Sequence, residues 1–347
     1  MKTTITPAFF LFLVCGAAID FVAASVSTDI GVPVYQAKPY LAAKDTNFGA
    51  LIEGAAVDKD GNFYAVNYKG AKSAVGKAYE SQSVFFQDSS NPNSWFNGIR
   101  FHVDSSGAQE AYLADVVNHR VVRVKGSGNK QSPPGAETFC QSSDILQPND
   151  LAIAHSTGRL FLSGMKYTSD SVIGDGDLWT CDSAGTATRL GLFYRTNGIE
   201  VSPDEKVLYL SEAKNQGGSV VSNVIHAFDL DAKKGSISNG RILVDFAQLD
   251  NSAKIDIDGI RVDVLGNLYV ARAGAGKVAK ISPSGKLLAY IELESIVGVT
   301  SLEFAGPEGK DLFIVGACTA DPTKGCVEKY SGDTKGNTFA KLNSSNV

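Results

Sequence analysis

Six oxygen-bearing residues recur at one phase of an internal repeat: Glu53, Asn97, Asn149, Asn197, Asp258 and Thr300. Oxygen donors suit hard divalent cations, of which calcium takes about six to eight. Glu53 and Asp258 would balance a doubly charged ion. The amide oxygens of Asn149 and Asn197 would extend a half-shell whose open side is left to water or substrate. No histidine or cysteine falls at this phase, which disfavours zinc and copper. Four ligands from four repeats make a cage, whereas magnesium prefers to keep its waters, so Ca2+ is the expected ion, with Mg2+ or Mn2+ as alternatives. Asn97 and Thr300 are expected to brace the ligands from behind or to contact substrate, and Gln147 to contact substrate. Taken singly, an Asn-Gly or Asp-Gly pair is a turn dipeptide, and only the shared phase gives these residues another meaning.

The elements that must position them follow from the repeat. The six segments are EGAAVDKDGNFYAVNY, NGIRFHVDSSGAQEAYLADV, NDLAIAHSTGRLFLSG, NGIEVSPDEKVLYLSE, DGIRVDVLGNLYVARA and TSLEFAGPEGKDLFIVGA, starting 44, 52, 48, 61 and 42 residues apart. Each holds a polar residue, a short alternating run, a turn rich in Gly, Asp, Asn or Pro, and a strand rich in β-branched and aromatic residues. A four-stranded propeller blade needs roughly 40–50 residues. The spacing therefore predicts an all-β, six-bladed β-propeller with the six polar residues ringed where the innermost strands begin, beside the central channel. A pair of β-sandwiches is the alternative, but sandwiches have no reason to repeat one polar residue at one phase.

These residues resemble the gluconolactonase/senescence-marker-protein (regucalcin) family of propellers, over about residues 50–330; diisopropylfluorophosphatase is similar. The stretches that carry the resemblance are TNGIEVSPDEKVLYLSEA, IHAFDLDAKKGSISNGRILVDF, DGIRVDVLGNLYVARAGAGKV, VTSLEF and PND followed by GRLFLSGM. The resemblance implies that Glu53, Asn197 and Asp258 are metal ligands, that Asn149 is a ligand or substrate contact, and that Asp258 doubles as base or nucleophile. It implies hydrolysis of a lactone or related ester of a small-molecule substrate. The chain departs at Gln147, where the lactonases commonly carry an arginine that touches a sugar acid, and at Asn97, an added polar group in the second repeat. A non-catalytic ligand- or partner-binding propeller, a phosphotriesterase-like hydrolase and a strictosidine-synthase-like propeller are the competing functions.

Composition bounds the partners. The chain has 347 residues, a formal net charge of −5 and no basic cluster, so nucleic acid is not an expected partner. Lys2, the apolar run from Ala8 to Ala18 and Val22-Ala23-Ala24 read as a signal peptide over 1–24, ahead of a single domain over 25–347. The run is too short to span a bilayer; an uncleaved anchor is the alternative. A secreted, soluble and monomeric mature protein is expected. Cys15 would leave with the signal, and an even four cysteines would remain, which favours disulfides. Cys318 and Cys326 flank a hairpin-like segment and are plausible partners, leaving Cys140 with Cys181, although four cysteines allow three pairings. Asn343-Ser344-Ser345 is a glycosylation acceptor.

Other catalytic patterns are absent: there is no GxSxG and no HExxH. His102, His119, His155 and His226 are scattered outside the ring and read as structural or surface residues. Gly274-Ala275-Gly276-Lys277 reads as a hairpin turn rather than a phosphate loop, and Asp175 and Asp177 lie in a turn without EF-hand spacing.

Overall fold

The computed structural model describes residues 31–67, 74–125 and 135–344; the expected signal peptide lies outside them. Six sheets, each with its first strand innermost, form the blades of a propeller. The innermost strands are Ile52–Val57, Phe96–Val103, Gln147–Ala154, Arg195–Val201, Asp256–Val262 and Ile296–Ala305, one from each repeat. Blades 1 to 4 are four-stranded antiparallel meanders.

The last two blades are completed from the beginning of the chain. Strand Lys38–Leu41 adds the outer edge of blade 6 by pairing with Gly325–Ser331, and Val34–Gln36 adds a fifth, parallel strand to blade 5 against Leu287–Glu292. The repeat itself gave no sign of this closure, because it lies in residues ahead of the first repeat. Two short helices, Phe246–Leu249 and Asn337–Leu342, depart from the expected helix-free chain.

Strand periodicity explains the core. Successive side chains point to opposite faces, so a blade packed on both sides feeds two interfaces. In blade 3, Leu151, Ile153, Leu160 and Leu162 pack against Tyr112, Val121 and Phe139 of blade 2. Their neighbours Ala152, Ala154 and Phe161 pack against Ile199, Leu208 and Leu210 of blade 4. Both faces being buried, such a strand reads as a continuous apolar run instead of an alternating one. RLFLSG is that pattern in the sequence.

Disulfides join Cys140 to Cys181 and Cys318 to Cys326, the first between blades 2 and 3, the second within blade 6. Two disulfides are the mark of an oxidising compartment. Among the described residues no helix is long and apolar enough to cross a membrane. Asn343 is exposed, and its Nδ2, the atom a glycan would occupy, donates to the carbonyls of Lys59 and Phe339.

The separations across the two bridges are 41 and 8 residues, so chain entropy favours the first. Replacing Cys140 and Cys181 by serine is expected to lower stability by about 4 kcal/mol, and Cys318 and Cys326 by about 2.5 kcal/mol. Denaturant unfolding of the two double variants checks the order.

Candidate functional site

The ring residues sit at a backbone irregularity, not at turns. In blades 2 to 5 the pairing of the two innermost strands skips a step, setting Asn97-Gly98, Asn149-Asp150, Asn197-Gly198 and Asp258-Gly259 each against a single residue of the next strand. The first blade slips at Gly54 and the sixth at Thr300. Bulges of this kind re-aim a side chain out of the ladder. The Asn-Gly and Asp-Gly pairs are thus bulges within strands, which is why propensity alone reads them as turns.

The glycines have a second reason. A Cβ on Gly54 would come within 2.2 Å of the Asn97 carbonyl oxygen, and one on Gly198 within 2.2 Å of that of Asp258. Neighbouring innermost strands therefore touch backbone to backbone around the axis. In blade 6, Ser301 takes the glycine position; its Oγ accepts from the Ala55 amide at 3.1 Å, while Thr300 Oγ1 donates to the Ile52 carbonyl at 2.6 Å, tying the last blade to the first.

The structure brings Glu53 and Asp258 into electrostatic contact. Burial pushes Glu53 up to about 8, with the Asp150 charge adding to it. Burial likewise raises Asp258 well above the ordinary range, reinforced by Glu53, Asp256 and Asp150 and opposed by Arg195. Asn197 is buried and its Oδ1 has no hydrogen-bond partner among the described residues. Asn197 thus carries a buried acceptor without a partner among the described residues, which costs free energy as it stands, and burial disfavours ionisation of both carboxylates. Asn149 is half-buried, Asn97 is buried, and Gln147 is exposed on the strand that carries Asn149.

Beneath the ring lies a charged layer that sequence reasoning missed. Arg100 holds Asp150 with Nη1 and Nη2 at 3.0 and 3.2 Å, and Arg261 reaches the same carboxylate at 3.4 Å. Arg261 also bonds Glu303 at 3.1 Å and the Ala55 carbonyl at 2.7 Å, while Glu200 stands 3.8 Å from Arg100. Burial pushes Asp150 up, but Arg100 and Arg261 outweigh it and keep the group ionised. Glu200, with burial uncompensated by the same two arginines, is pushed up to about 7. The signal was present: the residue three places after the ring position is Arg100, Glu200, Arg261 or Glu303 in four of the six repeats.

Arg195 was also missed. It is 1 % exposed, pairs with Asp256, donates to Tyr167 Oη at 3.0 Å and leaves its Nε unpartnered among the described residues. Two residues ahead of Asn197, it places a fixed positive charge near Asp258.

The profile of the SMP-30/Gluconolactonase/LRE-like region matches residues 135–318. The chain belongs to this family. A regucalcin of Danio rerio is 27 % identical over 185 residues, covering 50 % of this chain. The chain spans 59 % of that relative's length. Among solved structures, a calcium-binding protein, regucalcin, from Agrobacterium tumefaciens superposes with a TM-score of 0.68 at 20 % identity, covering 88 % of this chain and 97 % of that one. A gluconolactonase from Xanthomonas campestris superposes with a TM-score of 0.61 at 18 % identity, covering 85 % and 94 %. At these identities the superpositions establish the propeller alone, and the family membership rests on the profile.

Two outcomes follow from the geometry. Glu53 and Asp258 both have folded pKa values above their unfolded ones, so protonation favours the folded state. For Glu53 that contribution is full below about pH 4.5 and is lost as pH rises toward about 8, and Asp258 acts in the same direction. Freed of divalent cations, the protein should melt at progressively lower temperature across that window, and Glu53→Gln should flatten part of the fall, Glu200 supplying more of it. Gly198→Ala should destabilise the fold by about 1–3 kcal/mol by driving the Asp258 backbone away, measurable by denaturant unfolding.

Proposed function

We propose that the chain is a secreted, calcium-dependent hydrolase of lactones or related esters, taking a small-molecule substrate at the mouth of its channel, in a single propeller domain spanning 25–347. The observation that carries this reading is the orphan Oδ1 of Asn197 together with the raised carboxylates of Glu53 and Asp258, the first of which opposes ionisation of the second. Glu53, Asn149, Asn197 and Asp258 would hold the ion, with Mg2+ or Mn2+ as alternatives. These donors fit a hard cation: all are oxygens, and the two that can carry charge ionise readily only with a positive partner nearby. A bound divalent ion supplies polarisation of a carbonyl oxygen.

The chain's own groups would do the rest. An Asp258 carboxylate oxygen takes the proton of an attacking water, or attacks the carbonyl carbon itself. Arg195 adds a fixed positive charge near the anionic product of ester cleavage. Asn97 and Thr300 remain proposed substrate contacts at the rim, although the hydroxyl proton of Thr300 is already engaged by the Ile52 carbonyl. Membership of a family that takes its name from gluconolactonase supports lactone hydrolysis over phosphotriester cleavage. The exposed Gln147, where the resemblance implies an arginine, favours a substrate other than a sugar-acid lactone, or a non-catalytic binding role.

A panel of sugar and aliphatic lactones, assayed with calcium and then with a chelator, tests this. Activity should vanish on chelation and return with calcium. Asp258→Asn should lower kcat by at least about 100-fold with the fold intact by circular dichroism. A fully active Asp258→Asn variant would remove the assigned role. Tight calcium binding without turnover on any ester would leave the binding role standing.

A further inference from the structure

At the far end of the innermost strands, about 16 Å from the ring at five residues' rise, two histidines from neighbouring blades meet. His102 is the penultimate residue of the innermost strand of blade 2, and His155 opens the turn after that of blade 3. Their Nδ1 atoms stand 3.3 Å apart, with ring centroids at 5.4 Å and planes inclined by 44°. Two imidazole nitrogens bound tetrahedrally to one zinc at about 2.0–2.1 Å lie about 3.3–3.4 Å from each other. The pair thus already has the nitrogen separation of a tetrahedral centre, and a small turn of the rings would aim both lone pairs at one ion.

The surroundings agree. Both rings line a groove of about 510 Å³ that also presents Asp104, Glu110, Arg123 and Ser156, leaving room for water to complete a coordination shell. Burial holds His102 below the usual imidazole range against the pull of Glu110, Asp104 and Glu205. Burial pushes His155 down to about 3, helped by His102, Lys341 and Arg100. In both rings burial favours the neutral form, which is the form that ligates metals. Without metal, one Nδ1 donates to the other; with both protons on Nε2, both Nδ1 lone pairs are free, and no proton need leave the imidazoles. The nitrogen pair selects a borderline cation, in contrast to the all-oxygen ring.

We propose that His102 and His155 form a second metal site, for Zn2+ or a similar borderline divalent cation completed by water, which clamps blade 2 to blade 3. The site stands apart from the hydrolase reading and does not depend on it. Zinc titrated into the full chain, read by competition with a chromophoric chelator, should show one ion bound per chain at micromolar affinity. His102→Gln and His155→Gln should each weaken that binding by about tenfold or more, with melting curves taken without zinc confirming that both variants fold. Asp258→Asn and His226→Gln should bind as the unaltered protein does. Co2+ in place of zinc should give the strong visible absorption of a tetrahedral site, absent from the His155→Gln variant. Zinc binding that survives both histidine variants, that is lost with Asp258→Asn or His226→Gln, or that never occurs in the unaltered protein, overturns the proposal.

Discussion

Everything at the mouth of this propeller depends on how closely six innermost strands can approach one axis. The contact is backbone against backbone: the residue after Glu53, and that after Asn197, must be glycine because a carbonyl of the next blade occupies the space of a Cβ. In blades 2 to 5 a slip of register at the same position lifts Asn97, Asn149, Asn197 and Asp258 out of the ladder. Fold and candidate site share this feature, since the close approach of the strands and the release of these residues from the ladder fall at one position of the repeat.

Burying carboxylates brings an electrostatic cost, and the neighbouring charged layer adds to it. Asp150, buried and held by Arg100 and Arg261, stays ionised and acts on the ring from below. Its charge raises both Glu53 and Asp258. The arginines thus stabilise a carboxylate that in turn opposes ionisation of the two above it. The arrangement keeps negative potential concentrated at the channel mouth, where Arg195 is the buried counter-charge that acts on Asp258. Burying ion pairs adds little stability in itself, and this network is better understood as fixing the potential of the site.

The six repeats were legible in the sequence because each blade needs the same turn chemistry and the same two-sided apolar strand, so the pattern is local and recurs. The ring phase was legible for the same reason. What the sequence concealed is non-local. Arg100 and Arg261 meet on Asp150 from three different blades, and their spacing of 161 positions carries no periodic mark beyond the shared offset from Asn97 and Asp258. His102 and His155 each look like isolated histidines until two strands are laid side by side. Nor does any repeat betray that Lys38–Leu41 belongs to blade 6, because an edge strand is recognised by its partner and not by its composition.

That edge strand has a bearing on how the molecule comes into being. Lys38 pairs with Lys329, so a segment made at the start of synthesis has to wait for nearly the whole chain before it finds its place. Contacts that join such distant positions slow folding, because the closure entropy must be met before the contact is gained. Blades 1 to 4, each built from consecutive strands, can assemble as they emerge, while the last blade stays an open sheet with an unpaired edge. Until that strand arrives the nascent protein exposes a ready template for another chain, and closing blade 6 removes that edge of Gly325–Ser331 by the same step that joins two distant parts of the sequence.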